Sequence, residues 1–300
     1  MTPAHLFCIG LGYSALALGR RLRAEGWIIS GTRRDPDGTA ALRAAGFRVT
    51  PFERDHPLPA EALSGVTHIL VSAPPDAIGD PVLATHRGDI AAMNGLAWLG
   101  YLSTTGVYGD RGGGWVDETA APAPTGERGR RRIAAEQDWL DLWRLRRVPV
   151  HVFRLAAIYG RGRSPFEALR AGTAKRIDQP GQVFSRIHVD DLASVLIASM
   201  KHPRPGAVYN VCDDEPTAPE AVVAHAAALL GIPAPPLVAL QVASLSAMAR
   251  SFYDDNKRVS NNLIKTELGA TLRYPSFREG LAAILADDAC PKTRHPASSA

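Results

Sequence analysis

A glycine-rich turn between an apolar run and an amphipathic segment constrains this chain more than any other feature of its sequence. Residues 6–9 are apolar and strand-like, and the turn at residues 10–15, which reads GLGYSA, follows them directly. A helical pattern comes next and closes at Gly26, and a second apolar run begins at Trp27. This order of strand, turn, helix and strand has the spacing of a βαβ nucleotide-binding unit.

Each small residue of the turn has a chemical reason to be there. Gly10 permits the tight turn, Gly12 lets a pyrophosphate approach the backbone, and Ala15 lets the helix pack near the strand. The helix N-terminus offers free N–H groups and a positive dipole end to the phosphates. We therefore expect Gly10, Gly12, Tyr13, Ser14 and Ala15 to contact a dinucleotide; a tight turn with no ligand is the alternative.

The end of the second strand indicates which dinucleotide. NAD sites usually carry Asp or Glu about 20 residues after the first glycine, where it binds the ribose hydroxyls. This chain has Arg33 and Arg34 there, and guanidinium groups suit a 2′-phosphate. The sequence thus favours NADP, with NAD as the alternative if the arginines are solvated surface charges. Asp35 is a candidate for a late acidic residue at the ribose, but the run Asp35-Pro36-Asp37 is more typical of a turn and helix cap.

Composition bounds the remaining classes. The chain has 300 residues, 46% apolar and 21% charged, which predicts a globular fold with a sizeable core. The net charge of +4 and the scattered arginines give no nucleic-acid footprint. Three cysteines without a C-x-x-C pair, and a first strand too close to Met1 for a signal peptide, predict a cytoplasmic protein. No apolar run has membrane length, and the nine histidines show no metal-ligand spacing.

Strands and helices alternate along most of the chain, which predicts an α/β fold with a doubly wound parallel sheet. Ligands bind outside the carboxyl ends of such strands. We therefore expect further cofactor contacts at three strand ends, although ordinary strand-ending turns would look the same. These residues are Ser72, Ala73, Pro74, Ser103, Ala157 and Ile158.

Several segments together resemble the extended short-chain dehydrogenase/reductase family, which includes sugar-nucleotide epimerases and dehydratases. The matching segments keep the family's order; they are 10–15, 102–109, 153–162, 186–191 and 209–216. The resemblance implies a Rossmann domain at 1–160, joined again by 186–213. It also implies a small C-terminal substrate domain at 161–185 and 214–286, and composition predicts a disordered tail at 287–300.

The family's chemistry uses a Ser or Thr, a Tyr and a Lys, with the Tyr and Lys four residues apart on one helix. By resemblance, Thr104 matches the Ser/Thr position; a strand-end cap is its alternative role. Arg128 stands where the Tyr belongs and Arg132 where the Lys belongs. An arginine stays protonated and is a poor proton donor, although Arg132 retains a charge that suits the nicotinamide ribose. The chain therefore resembles the atypical subgroup that keeps the cofactor site and loses the catalytic signature.

Two hypotheses follow from that departure. One is an NADP(H)-dependent oxidoreductase or epimerase-like enzyme with a nonstandard proton donor and an unknown small substrate. The other is a non-catalytic NADP(H)-binding sensor or structural protein. By resemblance, Arg186 faces the substrate crevice and is a candidate for binding an anionic group, with a surface ion pair as the alternative.

Two further features leave alternatives open. The arginines at 128 and 130–132 form either a solvated helix start or an anion site, since cations at a helix N-terminus oppose the dipole. The helix predicted at 133–146 is a candidate for a homodimer interface, because family members often pair through such helices. Its tryptophans, Trp139 and Trp143, suit core packing equally well.

Overall fold

The computed structural model describes residues 3–289 of the chain. Its thirteen strands include seven that form the central sheet. In chain order the strands are β1 (His5–Ile9), β2 (Ile28–Thr32), β3 (Arg48–Thr50), β4 (His68–Val71), β5 (Trp98–Thr104), β6 (Trp115–Val116), β7 (Val150–Leu155), β8 (Ala157–Tyr159), β9 (Arg176–Asp178), β10 (Arg186–His188), β11 (Val208–Val211), β12 (Leu237–Ala239) and β13 (Arg258–Val259).

Ten α-helices connect and cover these strands, with 3-10 turns at 60–63, 105–108 and 252–254. In chain order the helices are α1 (Tyr13–Ala24), α2 (Pro36–Ala44), α3 (Pro81–Ala91), α4 (Glu127–Arg146), α5 (Pro165–Arg170), α6 (Val189–Lys201), α7 (Pro219–Leu229), α8 (Ala247–Ser251), α9 (Asn262–Leu268) and α10 (Phe277–Ala289).

The central sheet confirms the predicted doubly wound Rossmann fold. All of its strand pairs are parallel, and the strand order is β11-β7-β5-β4-β1-β2-β3. The chain moves outward from β1 through β2 to β3, and then returns to β4 and moves outward on the other side. The order therefore reverses between β1 and β4, where open α/β sheets form their ligand crevice.

Continuous apolar runs explain why these strands are central and parallel. All five residues of β1 are buried, as are all six of β7, which is the pattern of a sheet covered on both faces. One face packs against α1, α6 and α9, and the other against α3 and α4. These two apolar layers hold the carboxyl ends of the strands, and the crevice beside them, in fixed positions.

Helix α4 begins at Glu127, about six residues before the predicted start at 133. The loop before it ends at Gly126, and Glu127 then pairs with Arg130 and Arg131 through its first turn. The start at residue 133 was predicted from the apolar pattern alone. The polar i,i+3 and i,i+4 pairs stabilise the helical turn that precedes this pattern. Trp139 of this helix is fully buried and donates to the Asp80 carboxylate at 3.0 Å, so it belongs to the core of the chain.

The C-terminal part adds a separate apolar cluster, formed mainly by α5, α7 and α10. Helix α10 reaches Ala289, so the tail predicted from residue 287 is helical for its first three residues. Residues 290–300, including Cys290, lie outside the described residues. Cys8 and Cys212 are buried free thiols. Between residues 3 and 289, no helix is long and apolar enough to cross a membrane.

Candidate functional site

A cleft of about 1310 Å³ opens at the point where the strand order reverses. Its walls come from the turns after β1, β2, β3 and β4, from the first turns of α1, and from the C-terminal end of α10. The lining residues used below are Gly10, Gly12, Tyr13, Arg33, Arg34, Asp35, Ser72, Ala73, Pro74, Arg161 and His188. The cleft thus brings together most of the cofactor-contacting residues predicted from the sequence.

The glycine turn has the conformation that its sequence demands. Gly10 has φ +95°, and a Cβ at this position would lie 2.7 Å from the Ser72 hydroxyl oxygen. Only glycine fits there without strain. Gly12 precedes α1 in extended conformation, and a Cβ there would meet no atom within 4 Å. The space over Gly12 is therefore open cleft at a helix N-terminus, where a phosphate is favoured.

The end of β4 is tied to this turn. The backbone amides of Ser72 and Ala73 donate to the Ile9 carbonyl at 2.9 and 3.1 Å, and the Ser72 hydroxyl donates to the Gly10 carbonyl. Ser72, Ala73 and Pro74 all line the cleft. These three residues follow β4, the strand next to β1. They hold the glycine turn in place and form the cleft wall opposite that turn.

Tyr13 closes the cleft on the side of the C-terminal part. Its hydroxyl donates to the Arg161 carbonyl at 3.0 Å, and the Arg163 guanidinium lies 5.7 Å from the centre of its ring. Burial raises the pKa of the Tyr13 hydroxyl to about 12, so the group stays neutral. Arg161 also pairs with Asp288 near the end of α10, at 3.5 Å. Ser14 and Ala15 lie in the first turn of α1, and Ala15 is fully buried against the core, as its small size predicts.

The end of β2 presents two arginines in different states. Arg33 pairs with Asp35 at 3.3 Å, while its Nε is buried without a hydrogen-bond partner. Arg34 is exposed and lines the cleft, with no side-chain partner among residues 3–289. Asp35 accepts from the amides of Asp37 and Gly38 as the N-cap of α2, which confirms the predicted cap. Asp35, the acidic residue nearest to where a ribose is expected, is therefore already bonded to Arg33 and to the start of α2.

These features fit a dinucleotide. The helix N-terminus beside the open space over Gly12 offers donors for a pyrophosphate, and the exposed Arg34 guanidinium offers donors for a further phosphate. Neutral Tyr13 and the wall at 72–74 add apolar contact. In the part of the chain that the structure describes, no group of three or more His, Cys, Asp or Glu side chains is placed to hold a metal ion.

Three predicted site residues at the end of β5 and on α4 lie outside this cleft wall. Ser103 is buried and donates to Glu136 at 2.5 Å. The Thr104 hydroxyl accepts from the Gly106 amide at 3.1 Å, so Thr104 caps the 3-10 turn that follows β5. Arg132 donates to the Leu102 carbonyl at 2.7 Å and to the Tyr101 hydroxyl at 3.2 Å. Cofactor or substrate contacts of these three residues remain predictions.

The other arginines at the start of α4 do not converge on one point. Arg130 and Arg131 both pair with Glu127, at 3.0 and 3.1 Å. The Arg128 guanidinium lies 5.9 Å from the centre of the Phe252 ring. The geometry therefore favours a solvated helix start over the anion site that the sequence left open.

The predicted residues beyond β7 are also placed away from the cleft wall. Ala157 and Ile158 lie in β8, paired with Arg186 and Ile187 of β10. Arg186 is only 8% exposed, and its guanidinium donates to the carbonyls of Phe184 and Thr217 at 2.9 and 3.2 Å. Burial lowers the pKa of this guanidinium, opposed chiefly by the nearby Asp213 carboxylate. The alternative of a surface ion pair does not apply, because the group is buried; the predicted contact of Arg186 with an anionic substrate stays a prediction.

Three further titratable groups, two tyrosines and a histidine, are structural in this geometry. Tyr108 is fully buried, donating to Asn210 at 2.7 Å and accepting from Arg154 at 2.9 Å. Tyr159 is buried and donates to the Ser276 carbonyl at 3.3 Å. His188 caps α6 by accepting from the Asp190 amide, and burial lowers the pKa of its imidazole.

Sequence reasoning missed two parts of the cleft wall. The segment 52–54 after β3 lines the cleft, and Arg54 there holds Asp76 in a bidentate pair at 2.8–3.1 Å. The C-terminal end of α10 lines it as well, and Asp288 pairs with Arg170 at 2.9 Å. The sequence offered a signal for the segment after β3, because the end of a neighbouring parallel strand reaches the same edge of the sheet. It offered none for the end of α10.

Comparisons with known proteins agree with this fold. No family model matches the chain. The solved structure of a conserved Silicibacter pomeroyi DSS protein, described as functionally unknown, is 53% identical and has a TM-score of 0.89; the match covers 95% of this chain and 99% of that one. Protein YeeZ of Escherichia coli K12 is 27% identical over 284 residues, 89% of this chain and 95% of YeeZ.

A more distant solved structure shares the architecture. A dTDP-glucose 4,6-dehydratase from Bacillus anthracis, in complex with NAD, is 19% identical with a TM-score of 0.74. The match covers 94% of this chain and 96% of the dehydratase. The chain therefore has the extended fold found among NAD-dependent epimerases and dehydratases.

Proposed function

Because this chain belongs to the family of the Silicibacter pomeroyi protein and has the fold of the extended short-chain dehydrogenases/reductases, we propose that it binds NADP(H) and acts on a small carbonyl or hydroxyl compound. One observation carries the first half of this proposal. The Gly10–Gly12 turn, the N-terminus of α1 and the two arginines after β2 line one cleft.

The preference for NADP over NAD rests on the charges at the end of β2. Arg34 is exposed with no side-chain partner among the described residues, and Arg33 has a buried Nε without one. Asp35, which would bind a free ribose hydroxyl in an NAD site, caps α2 and pairs with Arg33. A 2′-phosphate would supply the charged acceptor that the Arg34 guanidinium lacks, whereas a 2′-hydroxyl supplies no charge.

The second half of the proposal concerns what the bound cofactor does. A nicotinamide cofactor would supply hydride transfer between its ring and a substrate carbon. On the protein side, Thr104 stands at the end of β5, where its hydroxyl oxygen accepts from the Gly106 amide and its proton is free to be donated to a substrate oxygen. Arg132, held at the Leu102 carbonyl, keeps a positive charge beside this strand end.

The alternative is a protein that binds NADP(H) without turnover. It is favoured by the arginines at positions 128 and 132 and by the absence of an open titratable group at Tyr108 and Tyr159. Single-turnover mixing of the NADPH-loaded protein with a panel of aldehydes, ketones and nucleotide-linked keto sugars separates the two. Oxidation of NADPH by one member supports the enzyme. Tight NADPH binding with no oxidation across the panel supports the sensor and contradicts the enzyme on those substrates.

A further inference from the structure

Lys257 is a buried lysine in a chain whose cations are mostly arginine. The sequence holds 29 arginines and five lysines. Lys257 is 9% exposed, whereas Lys175 and Lys201 lie at the surface. A buried cation with a purely structural role is better served by arginine, which is more weakly hydrated and has five donors. Lysine is the one of the two that releases its proton when buried, so its presence here is informative.

The segment that carries Lys257 is hydrogen-bonded to two loops of the chain. The Asn256 carbonyl accepts from the amides of Arg111 and Gly113, both at 2.9 Å. The Asn256 side chain accepts from the Val183 amide at 3.1 Å and donates to the Gly181 carbonyl at 2.9 Å. The position of the neighbouring lysine is therefore set by the loop that follows β5 and by the loop that precedes β10.

Lys257 forms a buried ion pair against the start of α4. Its Nζ lies 3.0 Å from Asp255 Oδ2, and Asp255 Oδ1 accepts from the Thr125 hydroxyl at 2.5 Å. Thr125 stands one residue before Gly126, the N-cap of α4. The Phe252 ring contacts the Arg128 guanidinium from the same segment. The pair thus adjoins the helix turn where the resemblance places the missing tyrosine.

The same helix turn also packs against the end of β5. A Cβ at Gly129 would lie 3.0 Å from the Gly106 carbonyl, and the Gly106 amide donates to Thr104. Thr104, the first turn of α4 and the Asp255–Lys257 pair therefore form one continuous set of contacts around the carboxyl end of β5.

Burial and the neighbouring carboxylates act on the pKa of the Lys257 ammonium in opposite directions. Burial lowers the pKa of the ammonium and Arg111 lowers it further, while Asp255 and Asp110 raise it. Burial has the largest effect. An ammonium whose pKa is brought closer to neutrality is a better proton donor at physiological pH than an ordinary lysine.

We propose that Lys257 carries the proton for the substrate oxygen, in place of the tyrosine that α4 lacks, with Asp255 and Thr125 as its positioning residues. This role rests on the proposed function. In reduction, the substrate carbonyl carbon accepts a hydride from NADPH and its oxygen takes a proton from Lys257 Nζ. The products are an alcohol, NADP⁺ and a neutral amine that stays hydrogen-bonded to Asp255. Oxidation reverses each transfer.

A binding experiment on lysine-labelled protein tests the location without needing the substrate. With five lysines, selective ¹³C,¹⁵N-lysine labelling gives few side-chain signals, and that of Lys257 is identified by its loss in Lys257→Arg. If that variant fails to fold, arginine replacement of the other four lysines one at a time identifies it by elimination. NADP⁺ and adenosine 2′,5′-bisphosphate, which lacks the nicotinamide, are then titrated separately.

We expect NADP⁺ to shift the Lys257 signal and adenosine 2′,5′-bisphosphate to leave it in place. Calorimetric binding of NADP⁺ with an unmoved Lys257 signal overturns the role of Lys257 alone, as does an equal shift by both ligands. Failure of both ligands to bind overturns the proposed function together with this role.

A kinetic test applies to any carbonyl compound that the NADPH-loaded protein reduces. We expect Lys257→Arg to keep NADP⁺ affinity and to slow the reduction about 100-fold, because arginine preserves the charge but cannot give up the proton. Lys265→Arg is the matched control, because Lys265 lies on α9 and pairs with Asp214. We expect this variant to keep the wild-type rate. An unchanged rate in Lys257→Arg contradicts the proposal.

Discussion

Two regions lie at the same edge of the sheet: the cleft between β1 and β4, and the region at the carboxyl end of β5 beside the start of α4, which we call the crevice. They differ in how their polar groups are used. In the cleft, Arg34 has no side-chain partner within residues 3–289, and the space over Gly12 is open. At the crevice, Ser103, Glu136 and Arg132 all bond to other groups of the protein. The first region is arranged for a ligand, whereas in the second most of the polar groups hold the fold together.

This difference teaches that binding and chemistry are separable in this fold. The cofactor cleft depends on backbone conformation and a helix terminus, which survive replacement of side chains elsewhere. By the resemblance, the family's proton transfer depends on two side chains of α4, and arginines stand at both positions in this sequence. A change at the crevice should therefore alter stability or turnover, and a change at the cleft should alter cofactor affinity. The predictions below test that division.

The largest expected effect is on stability, at the buried pair behind the crevice. Glu136 and Arg154 are bonded at 2.8–3.2 Å, with side chains 4% and 8% exposed. We expect Glu136→Ala to lower the free energy of unfolding by about 3–5 kcal/mol, because it leaves a buried guanidinium unpaired. Chemical denaturation measures it. Glu127→Ala, which removes an exposed carboxylate and its two surface ion pairs from the same helix, is the control and should lower the free energy of unfolding by less than about 1 kcal/mol. Equal effects of the two variants would contradict the division.

A second effect on stability depends on pH. Burial raises the pKa of Asp213, after β11, to about 8, so the folded state holds a proton that the unfolded state releases near pH 4. The contribution of Asp213 to stability is therefore present below about pH 4 and is lost as the pH rises towards 8, by at most about 1.4 kcal/mol per pH unit.

The variant Asp213→Asn removes the contribution of Asp213 to the pH dependence of stability and keeps that of the histidines, so that a comparison with wild type isolates the former. We expect the variant to gain stability relative to wild type as the pH is raised from 5.5 to 7.5, measured by urea unfolding. Asp214→Asn, at the neighbouring carboxylate paired with Lys265, serves as the control and should follow the wild type. A constant difference between Asp213→Asn and wild type across this range would show that the carboxyl is charged throughout.

At the cleft, the expected effect is on affinity. Gly12 has negative φ, and a methyl group there meets no protein atom, so Gly12→Ala should fold normally. We expect it to weaken NADP⁺ binding about tenfold or more, because the methyl group occupies the space over the helix N-terminus. Gly95→Ala, at a second glycine with free space in the loop before β5, is the control. Unchanged affinity in Gly12→Ala would place the phosphates elsewhere.

The smallest expected effect comes from the arginine that stands in the place of the tyrosine. Among residues 3–289, the Arg128 guanidinium has one recorded partner, the Phe252 ring, which is itself more than half exposed. We expect Arg128→Ala to change the free energy of unfolding by less than about 1 kcal/mol and to leave NADP⁺ affinity unaltered. A large loss of NADP⁺ affinity would show that the start of α4 is part of the cofactor site after all.

Local chemistry explains which features the sequence predicted. The glycine turn, the cap at Asp35 and the alternation of strands and helices each follow from neighbouring residues, and the structure has all of them. The bonds of Arg132 to the Leu102 carbonyl and of Arg186 to the Thr217 carbonyl did not follow, because these partners are about thirty residues away in sequence. The burial of Lys257 beside Thr125 likewise depends on contacts more than a hundred residues apart along the chain.

The most direct test of the account is a calorimetric comparison of NADP⁺ and NAD⁺ binding to the wild-type protein and to Arg34→Ala. We predict that wild type binds NADP⁺ at least about tenfold more tightly than NAD⁺, because charge-assisted hydrogen bonds to a phosphate contribute about 1.5–3 kcal/mol. Arg34→Ala should lose most of that difference by weakening NADP⁺ alone. Tighter binding of NAD⁺ by the wild type, or no binding of either dinucleotide, would contradict the central claim.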